Sequence, residues 1–344
     1  MPAGLWQAVA IHGCGAAPVL LDRGRATYRP RPIELRGMPV LTRLRALAAD
    51  GPVVLTFGVV AGLALPPLAD AVRPLLTACV FVFVAGTFLR LDGASVLAAL
   101  KNPRFGIVLP LAAIVLTPLA VAQGAAAIGW TGPLAAALVL SLAAPPSSAN
   151  AAIARMLGAT GSIAFVVTTV ATFAVPLSAP LVMMLSGSAQ ANLSPSDLAI
   201  RLFVLLGAAG GLTLALRRFA PRFVEDNGSM FDRVVVAALF VFAMATMSGV
   251  PRLFWADPAT VLLTVAVAYA ANVVLAFVFA LASPGSLAER TEIGLTMGNR
   301  NVGLIWAALG AGIDPFVALY FAAAQFPIFT TPLLIRLLRR PRPA

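Results

Sequence analysis

The chain has one histidine, His12, and two cysteines, Cys14 and Cys79. A lone histidine sets aside both a histidine metal site and a Ser-His catalytic pair. Cys14 lies in an Arg-rich stretch and Cys79 in an apolar run, so neither a disulfide nor a metal-ligand spacing is expected. Acidic residues are scarce: Asp and Glu total 13 of 344 residues, mostly in polar segments, and no paired-aspartate motif occurs. That argues against a membrane enzyme acting on a lipid-linked substrate, which needs an acid, base or metal cluster near an interface. The formal charge is +11. No basic stripe alternates with stacking aromatics, however, so nucleic acid is not an expected partner.

What the chain has instead is apolar length. It is 60% hydrophobic and 11% charged, with a mean hydropathy of +0.95. Soluble domains average about 45–50% apolar and about 25% charged. The expected class is therefore an all-α polytopic membrane protein, surrounded by lipid. Residues 1–50 are Arg-rich, contain proline and lack apolar periodicity. They are expected to form a disordered basic tail, and Met38 is a second place where the protein could start. The tail is too short and polar for a sensing domain with its own core, which weighs against a membrane sensor or scaffold.

Ten apolar spans follow, at about 51–68, 70–90, 104–125, 131–157, 161–185, 197–217, 231–250, 258–282, 287–310 and 314–338. One set of connections carries Arg90, Lys101, Arg104, Arg155, Arg217, Arg218, Arg222, Arg233 and Arg290. The opposite set carries Arg73, Arg201 and Arg252. The positive-inside rule then puts both termini in the cytoplasm of a cell whose inner (plasma) membrane holds the chain.

An internal repeat runs through the spans. Phe81-Val82-Phe83-Val84-Ala85-Gly86-Thr87 echoes Phe240-Val241-Phe242-Ala243-Met244-Ala245-Thr246. Asn150 echoes Asn301, and Pro176…Pro180-Leu181 echoes Pro327…Pro332-Leu333. The common order divides the chain into two halves, 51–185 and 197–338. Five spans per half, an odd number, give the halves opposite orientations, the inverted-repeat plan of secondary transporters.

Two stretches interrupt the apolar pattern half-way along a span. They are Pro145-Pro146-Ser147-Ser148-Ala149-Asn150 in the fourth and Gly298-Asn299-Arg300-Asn301 in the ninth. Lipid cannot hydrogen-bond a broken helix, so such breaks survive inside protein or along a wet cavity. Asn150, Asn299, Arg300 and Asn301 are the candidate substrate-binding residues. Freed carbonyls together with Ser147, Ser148, Asn150, Thr168, Thr172 and Thr296 are candidate ion ligands, because hard cations favour clustered oxygens. The competing reading for the threonines is a bond back to their own helix. Arg300 cannot lose its proton. It meets a substrate anion, stands where a cation would otherwise bind, or snorkels to the membrane edge. Glu292 is the nearest acid in its span but lies roughly 12 Å away along the helix.

The stretches PPSSANAAIARMLGATGSIAFVVTTVATFAVPLSAPL and MGNRNVGL resemble the bile acid:sodium symporter family. The resemblance covers about 51–338 in layout. It implies two inverted five-helix repeats with broken helices 4 and 9 crossing. It also implies a core domain of helices 3–5 and 8–10 and a panel domain of helices 1, 2, 6 and 7. The implied function is secondary active transport of a small organic anion by alternating access, without cofactor or covalent chemistry. Sodium is the coupling ion the family suggests. In the family, a Ser-Asn pair and a downstream Ser and Thr bind one sodium; Ser148, Asn150, Ala164 and Thr168 fall near those places. A second sodium is held by Glu and Gln, which aligned on Asn301-Val302-Gly303-Leu304 become Thr296 and Arg300.

Overall fold

A computed structural model describes residues 51–91, 97, 100–187, 194–328 and 330–331. The tail 1–50, with His12 and Cys14, and the end of the tenth span lie outside the described residues. Among the latter the chain is all-α; the single β-type pairing is an isolated bridge, taken up below. Six helices are long and apolar enough to cross a membrane. With that composition and those helices, the chain is a membrane protein.

Helix α1 is Gly51–Ala64. It turns at Leu65 into α2, Pro66–Leu89. That start is earlier than the expected residue 70, because prolines at the first two helical positions sacrifice only N–H groups that have no intrahelical acceptor. Helix α3 is Arg104–Ala127. Two of its turns, Arg104–Val108 and Ala112–Leu116, are wide π-turns. The fourth span is two short helices, α4 (Pro133–Ala143) and α5 (Asn150–Met156). Helix α6, Ser162–Ser186, tolerates Pro176 and Pro180 in its interior.

Helix α7, Pro195–Phe219, begins in a capping box of Ser194 and Asp197. Helix α8 is Gly228–Ala256. It breaks at Gly249, whose φ of 79° disfavours other residues, and resumes past the expected end at 250. Helix α9, Pro258–Ala282, is capped by Asp257. Hydrogen bonds from the Thr260 side chain and backbone hold the Asp257 carboxyl below the usual carboxylate range. The ninth span is again two pieces, α10 (Leu287–Gly298) and α11 (Val302–Leu309). Helix α12, Pro315–Ile328, starts on Asp314, which accepts from the N–H groups of Phe316 and Val317.

Length separates the two kinds of helix. A 25-residue helix such as α6 rises about 37 Å, enough for the roughly 30 Å of hydrocarbon in a bilayer. Helices α4, α5, α10 and α11, at 7 to 12 residues, rise roughly 10–18 Å and reach only part-way.

Two packing features bring other helices to the breaks. Gly294 and Gly298 lie one turn apart on α10. A Cβ there would come 2.4 Å from the Ala276 carbonyl oxygen and 2.6 Å from that of Asn272. Glycine therefore sets the close approach of α9. A small buried cluster that includes Ala113, Ile114, Val167, Ala171, Ile293 and Met297 then ties α3, α6 and α10 together.

Candidate functional site: two broken helices joined at their breaks

Proline decides where α4 ends. A residue before proline is pushed out of the helical region, and Ala144 adopts φ −65°, ψ 147°. The chain stays extended to Ser147, turns through Ser148 and Ala149, where the Asn150 N–H donates to the Ser147 carbonyl at 3.0 Å, and enters α5 at Asn150. The second break contains no proline: Asn299 opens it at φ −86°, ψ 122°, and Asn301 ends it at φ −84°, ψ 66°. The two extended pieces lie antiparallel, with Pro146 opposite Arg300. The Ser147 N–H donates to the Asn299 carbonyl at 3.0 Å, and the Asn301 N–H donates to the Pro145 carbonyl at 2.7 Å. Backbone groups away from water must be paired, and here each break supplies what the other lacks. Pro145 and Pro146 have no N–H to satisfy, and the proline-free break donates to their side.

A chain of amides reinforces the crossing. Asn150, fully buried, donates from Nδ2 to the Asn299 carbonyl at 3.4 Å and accepts at Oδ1 from Asn299 Nδ2 at 2.9 Å. Asn299 Oδ1 accepts from Asn272 Nδ2 at 2.8 Å, and Asn272 Oδ1 accepts from the Thr331 hydroxyl at 3.1 Å. The sequence reading missed Asn272 and Thr331. An asparagine inside the apolar run of α9 was the available signal, since a buried amide at that depth needs partners. Asn301 is half-buried and joins through its backbone.

Arg300 is 4% exposed, so it does not snorkel. Its Nη1 donates to the Ala113 carbonyl at 3.1 Å. That acceptor exists for a local reason. In the wide turn of α3 the Thr117 N–H reaches back to the Ala112 carbonyl, five residues away. The same register assigns the Ala113 carbonyl to residue 118, which is proline and has no N–H. Nε and Nη2 of Arg300 are buried without a hydrogen-bond partner, and no carboxylate among the described residues pairs with it. A cavity of about 20 Å³ adjoins the side chain, with Ser141, Asn272 and Tyr320 on its wall.

Glu292, two turns earlier and 1% exposed, has its partners elsewhere. Oε1 accepts from the Ala164 N–H at 2.9 Å. Oε2 accepts from the Gly161 N–H at 3.1 Å and the Thr160 hydroxyl at 3.4 Å. Glu292 thus sits on the N-terminus of α6, where unpaired N–H groups favour negative charge.

The candidate ion ligands do not share one environment. Ser147 Oγ accepts from the Ala149 N–H at 3.3 Å, and Ser148 is exposed. Thr172 donates back to the Thr168 carbonyl and Thr296 to the Glu292 carbonyl, each at 2.7 Å. Thr168 Oγ1 is buried without a partner. A larger cavity of about 450 Å³ lies among the ends of α3, α4, α6 and α12, beside Trp130, Ser186 and Asp314, and no residue of the crossing lines it.

Comparison with family profiles and with curated proteins finds no match for this chain.

Proposed function

We propose that the chain is a secondary active transporter of a small organic anion, built like the bile acid:sodium symporters. In this reading it has ten spans in two inverted repeats, with both termini on the cytoplasmic side of the plasma membrane. Helices α3 to α6 and α9 to α12 form the core, and α1, α2, α7 and α8 form the panel. The core moves against the panel, and substrate enters beside the crossing of the two broken helices. The observation that carries the reading is this crossing, which holds a buried arginine with two unused donors. Broken helices at half-span depth are a recurring device of secondary transporters, and an unpaired buried cation there favours an anion.

The same residue argues against sodium coupling at that place. Two unit charges 4 Å apart repel by about 4 kcal/mol at an effective dielectric near 20, close to three decades in an equilibrium constant. The decisive experiment is uptake of a panel of labelled organic anions into liposomes carrying the purified protein, with and without a sodium gradient. Uptake that ignores sodium is expected. Strong sodium stimulation, with more than one ion per substrate, would overturn the reading of Arg300; no uptake of any solute would overturn the transporter. The double substitution Thr296→Glu, Arg300→Gln is expected to introduce sodium dependence.

A further inference from the structure

The larger cavity, about 450 Å³, is built from helix ends. Helices α3 and α6 end there, and α4 and α12 begin there. Its inner wall is small and apolar, with Ala122 and Ala125 of α3, Ala136 and Val139 of α4 and Val317 of α12. Pro133 and Val139 both line it, and between them α4 rises about 9 Å, so the cavity reaches well inside the bundle. Its volume falls within the roughly 300–1,000 Å³ of small-molecule sites. The polar lining lies where the helices stop, at Trp130, Thr131, Ser186 and Asp314. Asp314 is the one charged residue among the described residues that line it. Both of its hydrogen bonds, from the Phe316 and Val317 N–H groups, go to Oδ1. Oδ2 has no hydrogen-bond partner and no paired cation among the described residues. Arg201 is tied instead to the Ala308 and Leu309 carbonyls, and Arg104 stands at the other end of α3, roughly 35 Å away. Donors are few. The Ser186 hydroxyl donates to the Val182 carbonyl at 2.6 Å. The Trp130 N–H donates to the Ala125 carbonyl at 2.8 Å and the Thr131 N–H to the Gly129 carbonyl at 3.0 Å. Pro133 has no N–H.

We propose that this cavity binds an organic ammonium, its cationic head held at the mouth by Asp314 and Trp130 and its apolar part against the alanines. Two helices end and two begin at the cavity, so their end dipoles largely cancel and the Asp314 charge decides the sign. A cation over an indole face gains a further attraction, strongest for tryptophan. Trp130 pairs with no other aromatic ring or cation among the described residues. An anion would meet an unpaired carboxylate and few donors. A neutral solute of the same shape would gain only the apolar wall. No residue of the helix crossing lines the cavity, so the proposal stands apart from the transporter reading. The same ammonium head is carried by free amines and by choline lipids.

The test is equilibrium binding to the purified full chain in maltoside detergent, read by thermal melting and by tryptophan fluorescence. The probes are choline and benzyltrimethylammonium chlorides, compared with dimethylbutanol, the uncharged isostere of choline, and with sodium benzenesulfonate. Both ammonium ions are expected to raise the melting temperature saturably, benzyltrimethylammonium at the lower concentration because its ring reaches the alanines. Dimethylbutanol is expected to bind about tenfold more weakly than choline, and benzenesulfonate not at all. Asp314→Asn keeps an oxygen that can cap α12. Its ligand-free melting temperature is therefore expected to be unchanged, and its choline affinity to fall about tenfold. Trp130→Leu is expected to weaken choline by a similar factor, and Ala136→Phe, which fills the cavity, to abolish benzyltrimethylammonium binding. Absence of a saturable response to both ammonium ions in the unsubstituted protein overturns the proposal. Equal binding of dimethylbutanol and choline overturns it as well and leaves an apolar gap. Undiminished choline affinity in Asp314→Asn reduces Asp314 to a helix cap and also overturns it; if that variant does not accumulate, undiminished affinity in Trp130→Leu decides the same way. Short-chain phosphatidylcholine, below its micellar concentration, then separates the sources. Displacement of benzyltrimethylammonium assigns the site to a lipid head, no displacement assigns it to a free amine, and both results keep the ammonium site.

Discussion

Glu292 and Arg300 lie in one interrupted span, two turns apart, and both are buried. The acid is complete. It accepts from two N–H groups and a hydroxyl at the start of α6, and a helix N-terminus supports its charge. The base is incomplete. It has one carbonyl partner, and two of its nitrogens meet nothing. Burying an ion is tolerable when its lone pairs or protons are used and costly when they are not. On the transporter reading proposed above, the difference places Glu292 in the scaffold and Arg300 in the site.

The largest expected effect tests the scaffold half of the comparison. Glu292→Ala strands two backbone donors at the start of α6 and removes the link from α10. Each buried donor left unpaired costs about 1–3 kcal/mol. The variant is expected to melt far below the unsubstituted protein or to fail to accumulate, and Glu292→Gln, which keeps one acceptor, to fall between. A melting temperature unchanged by Glu292→Ala would remove the contrast. Arg300→Gln is expected to leave the ligand-free protein at least as stable, since it deletes an unsatisfied charge, while uptake is lost. If Arg300→Gln and Glu292→Ala destabilise alike, both charges are structural.

Asn150 gives the next effect. Asn150→Ala leaves Asn299 Nδ2 without its acceptor in a fully buried place, a loss of about 1–3 kcal/mol. The β-type bridge remains, because its two bonds are backbone to backbone. Folded, membrane-inserted protein without uptake is the expected result. Loss of the folded protein would make Asn150 scaffold, like Glu292.

How far these roles could be read beforehand depends on how local their causes are. Both breaks were legible, since two adjacent prolines cannot continue a helix and the polar run after Gly298 interrupts an apolar one. Helix limits were equally local: the eighth span was expected at about 258–282 and α9 runs Pro258–Ala282. Arg300 stood out for the same reason, a permanent charge within an apolar run. Its acceptor did not, because the Ala113 carbonyl is free only through a wide turn in α3 that the sequence does not announce. The partners of Glu292 lie on the far side of a break and a turn, in the segment 160–164. Asn272 reaches the crossing through glycines on a different helix, and Thr331 reaches it only through Asn272. The tertiary partners were hidden, and the local breaks were visible.

The smallest effect sharpens the contrast on a single helix. Thr168 and Thr172 are one turn apart on α6, and sequence alone treats them as a pair. The structure separates them. The Thr172 hydroxyl donates to the Thr168 carbonyl, the usual habit of threonine in an apolar helix. The Thr168 hydroxyl is buried with no partner. Valine matches threonine in shape and removes only the hydroxyl. Thr172→Val is therefore expected to change stability by no more than about 0.5 kcal/mol, because the carbonyl it abandons keeps its helical bond. Thr168→Val deletes an unsatisfied buried polar group and is expected to raise stability by about 1 kcal/mol. Thermal melts of the two variants side by side decide it. A Thr168→Val protein that melts below Thr172→Val would mean that the Thr168 hydroxyl has a partner in the folded protein. The distinction drawn between Glu292 and Arg300 would then not extend beyond those two residues.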